Sequence, residues 1–541
     1  MGIRDRVISK IARVCAGILG VPLLIPVLCI RCGDVALAGE VVQLSSFGAK
    51  CDGNTDDTAA IRKWLKAAAP FTQLVAPPGV CVFKTALTVP GGGLTNVSIV
   101  GAGPTMTVFK YAGSSTTVDL FTIGDGAYHQ YVGWHLADFS LDSGTKMTAG
   151  TALHLKGFGL SQIRNVLVPG QMNAQIQNNL WNAVWFDAGS QNSWSQGEAD
   201  AQNVAVSVSG NVALAFPAGD DYLDNFKISF SSVGIHIGGY TGAINCSNTE
   251  VIGNGVNLLV DTTLASIGNQ GSVFGPSCYF DSAKNDNVVL NDAIANDGQK
   301  LTAVMGEVAS SGKIGIHIQA WRNGANPGTV AVTSGQVADS GSDNIRLEDG
   351  DTILVVNGSS IAYAGLGTGV GFGLNATVAY PKVTMIGNTF QGNASGDLAP
   401  SILTSTGSIN DIVRFCKPAV AIGGSSNGIT YSRAACQSQF IGNYVSLAFS
   451  IVLTSKGSNT GAVTITGLPI ASGTASNILG VSGQLGSYEN FVGLTGAPGL
   501  WIGAGSNHIG LVQSGPTASM ALSDKNLSDS SVINGTILYP R

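Results

Sequence analysis

Asp200, the adjacent pair Asp220 and Asp221, and His236 are the side chains whose types and spacing could most readily do chemistry. Two carboxyls held close together raise one another's proton affinity, so one keeps its proton beside an ionised partner. That pairing supplies a general acid and a general base in one place. The gap from Asp200 to the Asp pair is close to 20 residues, and His236 follows about fifteen residues later. In a chain that coils with such a period, equivalent positions stack about 4.8 Å apart. Carboxyls one coil apart then suit a nucleophile with an acid, and those two coils apart leave room for a water. Both acidic sites fall in irregular stretches, "WSQGEADAQN" and "FPAGDDYLDNF", of the kind that builds a groove.

Other groups are weaker. Asp261 and Asp281 are also twenty residues apart, but "YFDSAKND" reads as a coil corner, as does the stretch carrying Asp339, Asp343 and Glu348. Trp194, Tyr222 and Trp321 are flat enough to stack on a ligand ring, against the alternative that they pack inside. Arg322 is a binding candidate, and Arg322 or Arg346 would be the base of an elimination. His317 alternates with Ile316 and Ile318, so its side is open to either face. Asp52, Asp56 and Asp57 precede an i, i+3, i+4, i+7 stripe of Ile61, Trp64, Leu65 and Ala68. This predicts an amphipathic helix about four turns long, with Thr55 or Asp56 as N-cap and Asp57 favoured by the helix dipole. With no CxxC pair and no Gly/Asp nonapeptide repeat, neither a metal nor a cofactor is expected.

The elements that must position these groups are short β-runs broken by Gly, Asn, Asp and Ser, such as "QIRNVLVPG", "NFKISFSSVGIHIGG" and "NTEVIGNGVNLLVD". They recur roughly every 20 to 25 residues to about residue 400, and hairpin turns of the Asn-Gly type are few. This is the pattern of a β-solenoid, whose coils bury their inward side chains by stacking on their neighbours. An amphipathic helix at the start would plug the exposed end coil.

Charged residues are 11% of the 541 and Gly numbers 73, a turn-rich β composition. The net charge of −6 argues against a nucleic-acid partner. Arg4, Arg6, Lys10 and Arg13, the apolar run Val14 to Ile30, and Ala36-Leu37-Ala38 read as a signal peptide over residues 1–38, so a secreted, periplasmic or cell-surface protein without stable membrane insertion is expected. Its removal takes away five basic and two acidic residues, leaving −9. It also leaves six cysteines in three sequence-local couples, Cys51/Cys81, Cys246/Cys278 and Cys416/Cys436, which fits three local disulfides.

"SSFGAKCDGNTDDTAAIRKWLKAAA", "LVAPPGVCVFKTALTV" and "VSIVGAGPTMTVFKY" resemble the N-terminal segment of pectate-lyase-like and rhamnogalacturonase/epimerase-like proteins and of phage tailspikes. The resemblance implies an all-β right-handed parallel β-helix over residues 39–425, capped by the N-terminal helix. Where the pattern has Gly and Thr, this chain has Cys51 and Cys81, implying a bridge across the cap. "NGITYSRAACQSQFIGNYVSLAFSIVLTSKGSNTGAVTITGLPI" resembles the C-terminal β-sandwich module of tailspikes, over residues 426–541. Together these imply a polysaccharide as partner, a homotrimer, and an exported glycoside hydrolase. Alternatives are a polysaccharide lyase of the same fold and a non-catalytic carbohydrate-binding fibre. The polygalacturonase G-H-G and R-I-K motifs are absent, and N-T-D occurs only at Asn54-Thr55-Asp56, which leaves the catalytic residues to be found from the fold.

Overall fold

The structure is a computed structural model that describes residues 39–540, except 90–93, 126–130, 170–178, 191, 211–217, 220, 270–276, 296–301, 380, 405–412, 442–443, 469–471, 473–479 and 516. Residues 1–38, expected to be a signal peptide, lie outside the described residues. Among the described residues no helix is long and apolar enough to cross a membrane.

Among the described residues to Leu398, every strand pairing is parallel except the short one of Arg322–Asn323 with Asn326–Pro327. One sheet has 21 strands and a second has 13, of which all but Asn326–Pro327 form one parallel column. Each coil contributes one strand to the second sheet, and the inward residues make a continuous aliphatic ladder: Leu153, Val184, Val206, Ile235, Leu258, Val288, Ile316, Ile345, Leu374 and Leu398. All are buried, and burying such a side chain is worth about 1.5–3 kcal/mol. The alternating residues therefore face out in register, coil upon coil.

The larger sheet bends where each strand crosses from one face to the next. Asp138, Asn165, Gln196, Asn225 and Asn248 occupy that corner in successive coils, all with φ between 47° and 61°. Asn and Asp tolerate this left-handed conformation better than other non-glycine residues, which explains the recurrent polar punctuation. Their side chains also bond along the stack, Asn165 Nδ2 to Asp138 Oδ1 at 2.7 Å and Asn248 Nδ2 to Asn225 Oδ1 at 3.2 Å.

Coil length is more variable than the sequence period suggests. Phe121 pairs with Leu153, 32 residues on, while Val184 pairs with Val206, 22 residues on. The connections between strands absorb the difference.

The N-terminal helix, Thr58–Lys66, is nine residues long, shorter than expected, and is the one α-helix among the described residues. It buries Ile61, Trp64 and Leu65; Trp64 donates to Val42 O at 3.0 Å and stacks near Phe109 at 6.2 Å. The N-cap position belongs to Asp57, not to Thr55 or Asp56, and its carboxylate serves the preceding loop. It accepts N–H bonds from Lys50 at 2.7 Å and Cys51 at 2.9 Å. Asp56 accepts from Thr58, and Asp52 from Asn54 and Thr55, so all three aspartates have local structural partners.

From Val413 onward the strands are antiparallel, hydrogen-bonded as a single ten-stranded sheet and not as two separate ones. In Tyr444–Lys456 the residues Val445, Leu447, Phe449, Ile451 and Leu453 are buried and alternate with more accessible ones, the period-two pattern of a strand with one covered face. Disulfides join Cys51 to Cys81, Cys246 to Cys278 and Cys416 to Cys436, the three couples expected.

Candidate functional site

Glu198 and Asp200 flank the fully buried Ala199 at the end of a strand of the larger sheet, so both point outward. With a rise of about 3.3 Å per residue, their Cα atoms lie about 6.6 Å apart along the chain. The Asp200 N–H donates to Val168 O at 2.9 Å, and the register Val168 to Ala199 places Pro169 beside Asp200. One coil further back, the register Ser140 to Leu167 places Asp142 at the same column position. Asp142 and Asp200 are thus two coils apart, about 9.6 Å, with only a proline between them.

The electrostatics follow from this crowding. Burial, then the charges of Glu198 and Asp142, push the Asp200 carboxyl up to about 7. Burial also raises Glu198, with Lys227 pulling the other way. Asp142 is raised by burial too, against the Ser143 N–H and Lys110. Near neutral pH Asp200 is therefore poised to give up or take a proton, with the raised carboxyls of Glu198 and Asp142 beside it.

Lys227 stacks on Glu198, and beyond it the outward column continues through Glu250, Tyr279 and Glu307. Lys227, Glu250, Tyr279 and Glu307, with Asn225 and Asn248 from the corner, line a cleft of about 460 Å³ that begins at Gly197, next to Glu198. Hydroxyls, amides and a lysine along an open trough suit a hydroxylated, extended ligand.

The second sheet carries a different outer face. His154 lies between Asp119, 2.7 Å from Nδ1, and Asp187, 3.3 Å from Nε2, and stacks on Trp185 at 4.5 Å. Burial lowers the proton affinity of His154, but the two carboxylates outweigh it and raise it overall. His236 Nε2 is 2.9 Å from Asp261, whose carboxyl is held low by His236 and Thr263 against the effect of burial. His317 faces outward between Asp286 and Glu348, at 2.7 and 2.9 Å.

The residues expected from sequence are thereby distributed over several surfaces. Asp200 and His236 lie on different sheets and do not form one constellation. Asp220 lies outside the described residues. Asp221 is buried at the start of a strand, and its Oδ1 accepts from Asn192 N at 3.0 Å and Asn192 Nδ2 at 3.1 Å, a structural tie. The position one coil beyond Asp200 is Ser229, because this coil takes 29 residues and overshoots the Asp pair. Trp194 and Trp321 are core residues at 1% and 0% exposure and cannot stack on a ligand; Trp194 packs on Phe226 at 4.2 Å. Tyr222 is 51% exposed, on a face away from Asp200, and Arg322 is paired with Asp349 and Asp351. Asp281 ends a strand of the larger sheet while Asp261 just follows a strand of the second, and Asp339 is a left-handed corner residue as expected. Asp343 is buried and paired with Arg346 at 2.7 Å. Sequence reading gives no weight to Asp142, Glu198 or Trp185; the only signal was alternation about Leu141, Ala199 and Val184, Phe186.

No family model matches the chain, and no curated protein matches it by sequence. Solved structures do match. The Dettilon tailspike protein is 14% identical, with a TM-score of 0.50 over 93% of this chain and 94% of that one. The A-module of the Azotobacter vinelandii mannuronan C-5 epimerase AlgE4 is 14% identical, with a TM-score of 0.49 over 66% of this chain and 97% of that one. Tailspike protein 2 of the Escherichia coli O157:H7 bacteriophage CAB120 is 11% identical, with a TM-score of 0.42 over 90% of this chain and 63% of that one. The likeness shows the fold, a right-handed parallel β-helix.

Proposed function

We propose that this protein is an exported glycoside hydrolase that binds a polysaccharide along the outer face of the larger sheet and cleaves it at Asp142, Glu198 and Asp200. The observation that carries the reading is the Asp200 carboxyl, pushed up to about 7 by burial and by its two acidic neighbours. Asp200 protonates the glycosidic oxygen. Glu198, or Asp142 two coils away, accepts a proton from the attacking water. Their backbone positions, about 6.6 and 9.6 Å apart, suit the wider carboxyl spacing of an inverting pair with a water between them. The cleft from Lys227 to Glu307 holds the chain on one side of the cut.

Hydrolysis is preferred to elimination because a carboxyl near 7 supplies the general acid that glycosidic cleavage needs, with two further carboxyls beside it to activate water. The resemblance to polysaccharide-handling β-helices supports the substrate class, and that of Asn427 to Ile470 to a tailspike module supports a homotrimer, checked by light scattering. The test of the reaction is incubation of the full chain with neutral and acidic bacterial and plant polysaccharides, following reducing ends and ultraviolet absorbance together. New reducing ends without absorbance are expected. Absorbance from unsaturated products would make it a lyase, and binding with neither would leave a carbohydrate-binding fibre.

A further inference from the structure

The outer column of the second sheet contains a gap with no counterpart near Asp200. Reading along the coils, the outward positions are Thr122, His154, Trp185, Ser207, His236 and Leu259. Ser207 is the small member between two rings. It leaves a slot two strand spacings wide, about 9.6 Å, between the Trp185 indole and the His236 imidazole. A ring stacked on each side at van der Waals distance fits such a gap.

Both walls are fixed. The Trp185 indole is backed by His154, with ring planes 9° apart, and its Nε1 donates to Ser209 Oγ at 3.0 Å. His154 is itself held by Asp119 and Asp187, so the platform cannot tilt without breaking that clamp. On the other wall, His236 Nε2 is 2.9 Å from Asp261 Oδ1, and Thr263 Oγ1 donates to the same oxygen at 2.8 Å. The slot, floored by Ser207 with Asn203 at its rim, belongs to a cavity of about 300 Å³ that runs on past His236 to Leu259, Asp261, Thr263 and the exposed Leu264. An aromatic face with hydroxyl, amide and carboxylate groups opposite is complementary to a sugar ring, whose C–H face is apolar and whose edge carries hydroxyls. Asp261, held ionised, disfavours an anionic sugar.

We propose that this slot is a second saccharide-binding site, separate from the carboxyl cluster, which takes one neutral pyranose ring with its C–H face on Trp185 and its hydroxyls on Asp261, Thr263 and His236. It would hold a glycan on a face of the solenoid other than the one that cuts it.

The test is saturation-transfer NMR on the full chain with methyl glycosides of glucose, galactose, mannose and galacturonic acid, with affinities from titration. At least one neutral glycoside is expected to bind, and the galacturonoside more weakly. Ser207→Leu, which fills the slot, is expected to weaken binding at least tenfold, as is Asp261→Asn, which removes the acceptor charge. Asp200→Asn is expected to leave binding unchanged, which separates this site from the proposed cleavage site. Absence of binding by every neutral glycoside would overturn the proposal. So would undiminished binding in both slot variants, or a loss that tracks Asp200→Asn.

Discussion

Replacing Asp200 by Asn should make the protein more stable at pH 8 while removing its activity. The carboxyl lies at about 7 in the folded chain against 3.8 when unperturbed. At about 1.4 kcal/mol per pKa unit the difference is about 4 kcal/mol. Residual solvent contact trims this to roughly 2–3 kcal/mol. The sign follows from linkage. Below pH 3.8 both states are protonated and Asp200 costs nothing; as pH rises to 7 the unfolded chain ionises first, and stability is lost until the folded pKa is passed. Asn cannot ionise, so the variant should match the wild type near pH 4 and exceed it by roughly 2–3 kcal/mol at pH 8. Urea unfolding at the two pH values reads this directly. A variant less stable than the wild type at pH 8, or one with the same difference at both, would refute the claim that Asp200 is held against its own ionisation. A carboxyl that costs the fold stability is what a functional site retains and a structural one does not.

Three further outcomes are expected. Lys227→Met removes the positive charge that lowers Glu198, so the low-pH limb of the pH–rate profile should move to higher pH. Trp64→Ala should cost about 3–5 kcal/mol and be read as a lower unfolding midpoint, because the indole is fully buried and its N–H is satisfied. Replacing Cys246 and Cys278 by Ala should destabilise the fold by about 2–5 kcal/mol, read as a lower unfolding midpoint, and reducing all three disulfides of the wild type should cost at least as much.

The fold was legible at the N-terminus because its features are local. The helix stripe, the aspartates with partners a few residues away and the Cys51/Cys81 couple all lie within a short stretch, and the polar corners repeat wherever a left-handed residue is needed. The site was less legible because stacking depends on coil length, which ranges from 22 to 37 residues in the described registers. Counting twenty residues from Asp200 reaches the Asp pair, whose described member is buried and tied to Asn192, whereas the true column neighbours are Pro169 and Ser229. Asp142 joins Asp200 only once two unequal coils have been summed. Burial of Trp194 and Trp321 was equally hidden, since strand alternation shifts by one at each corner.

The central claim is that Asp200 donates the proton in cleavage of a polysaccharide. The most direct measurement is the rate of reducing-end release near pH 6 by the wild type and by Asp200→Asn, on whichever polymer of the panel is cut. A loss of about 10²–10⁴-fold, with polymer binding retained, is the predicted result. A rate within a few fold of the wild type would contradict it.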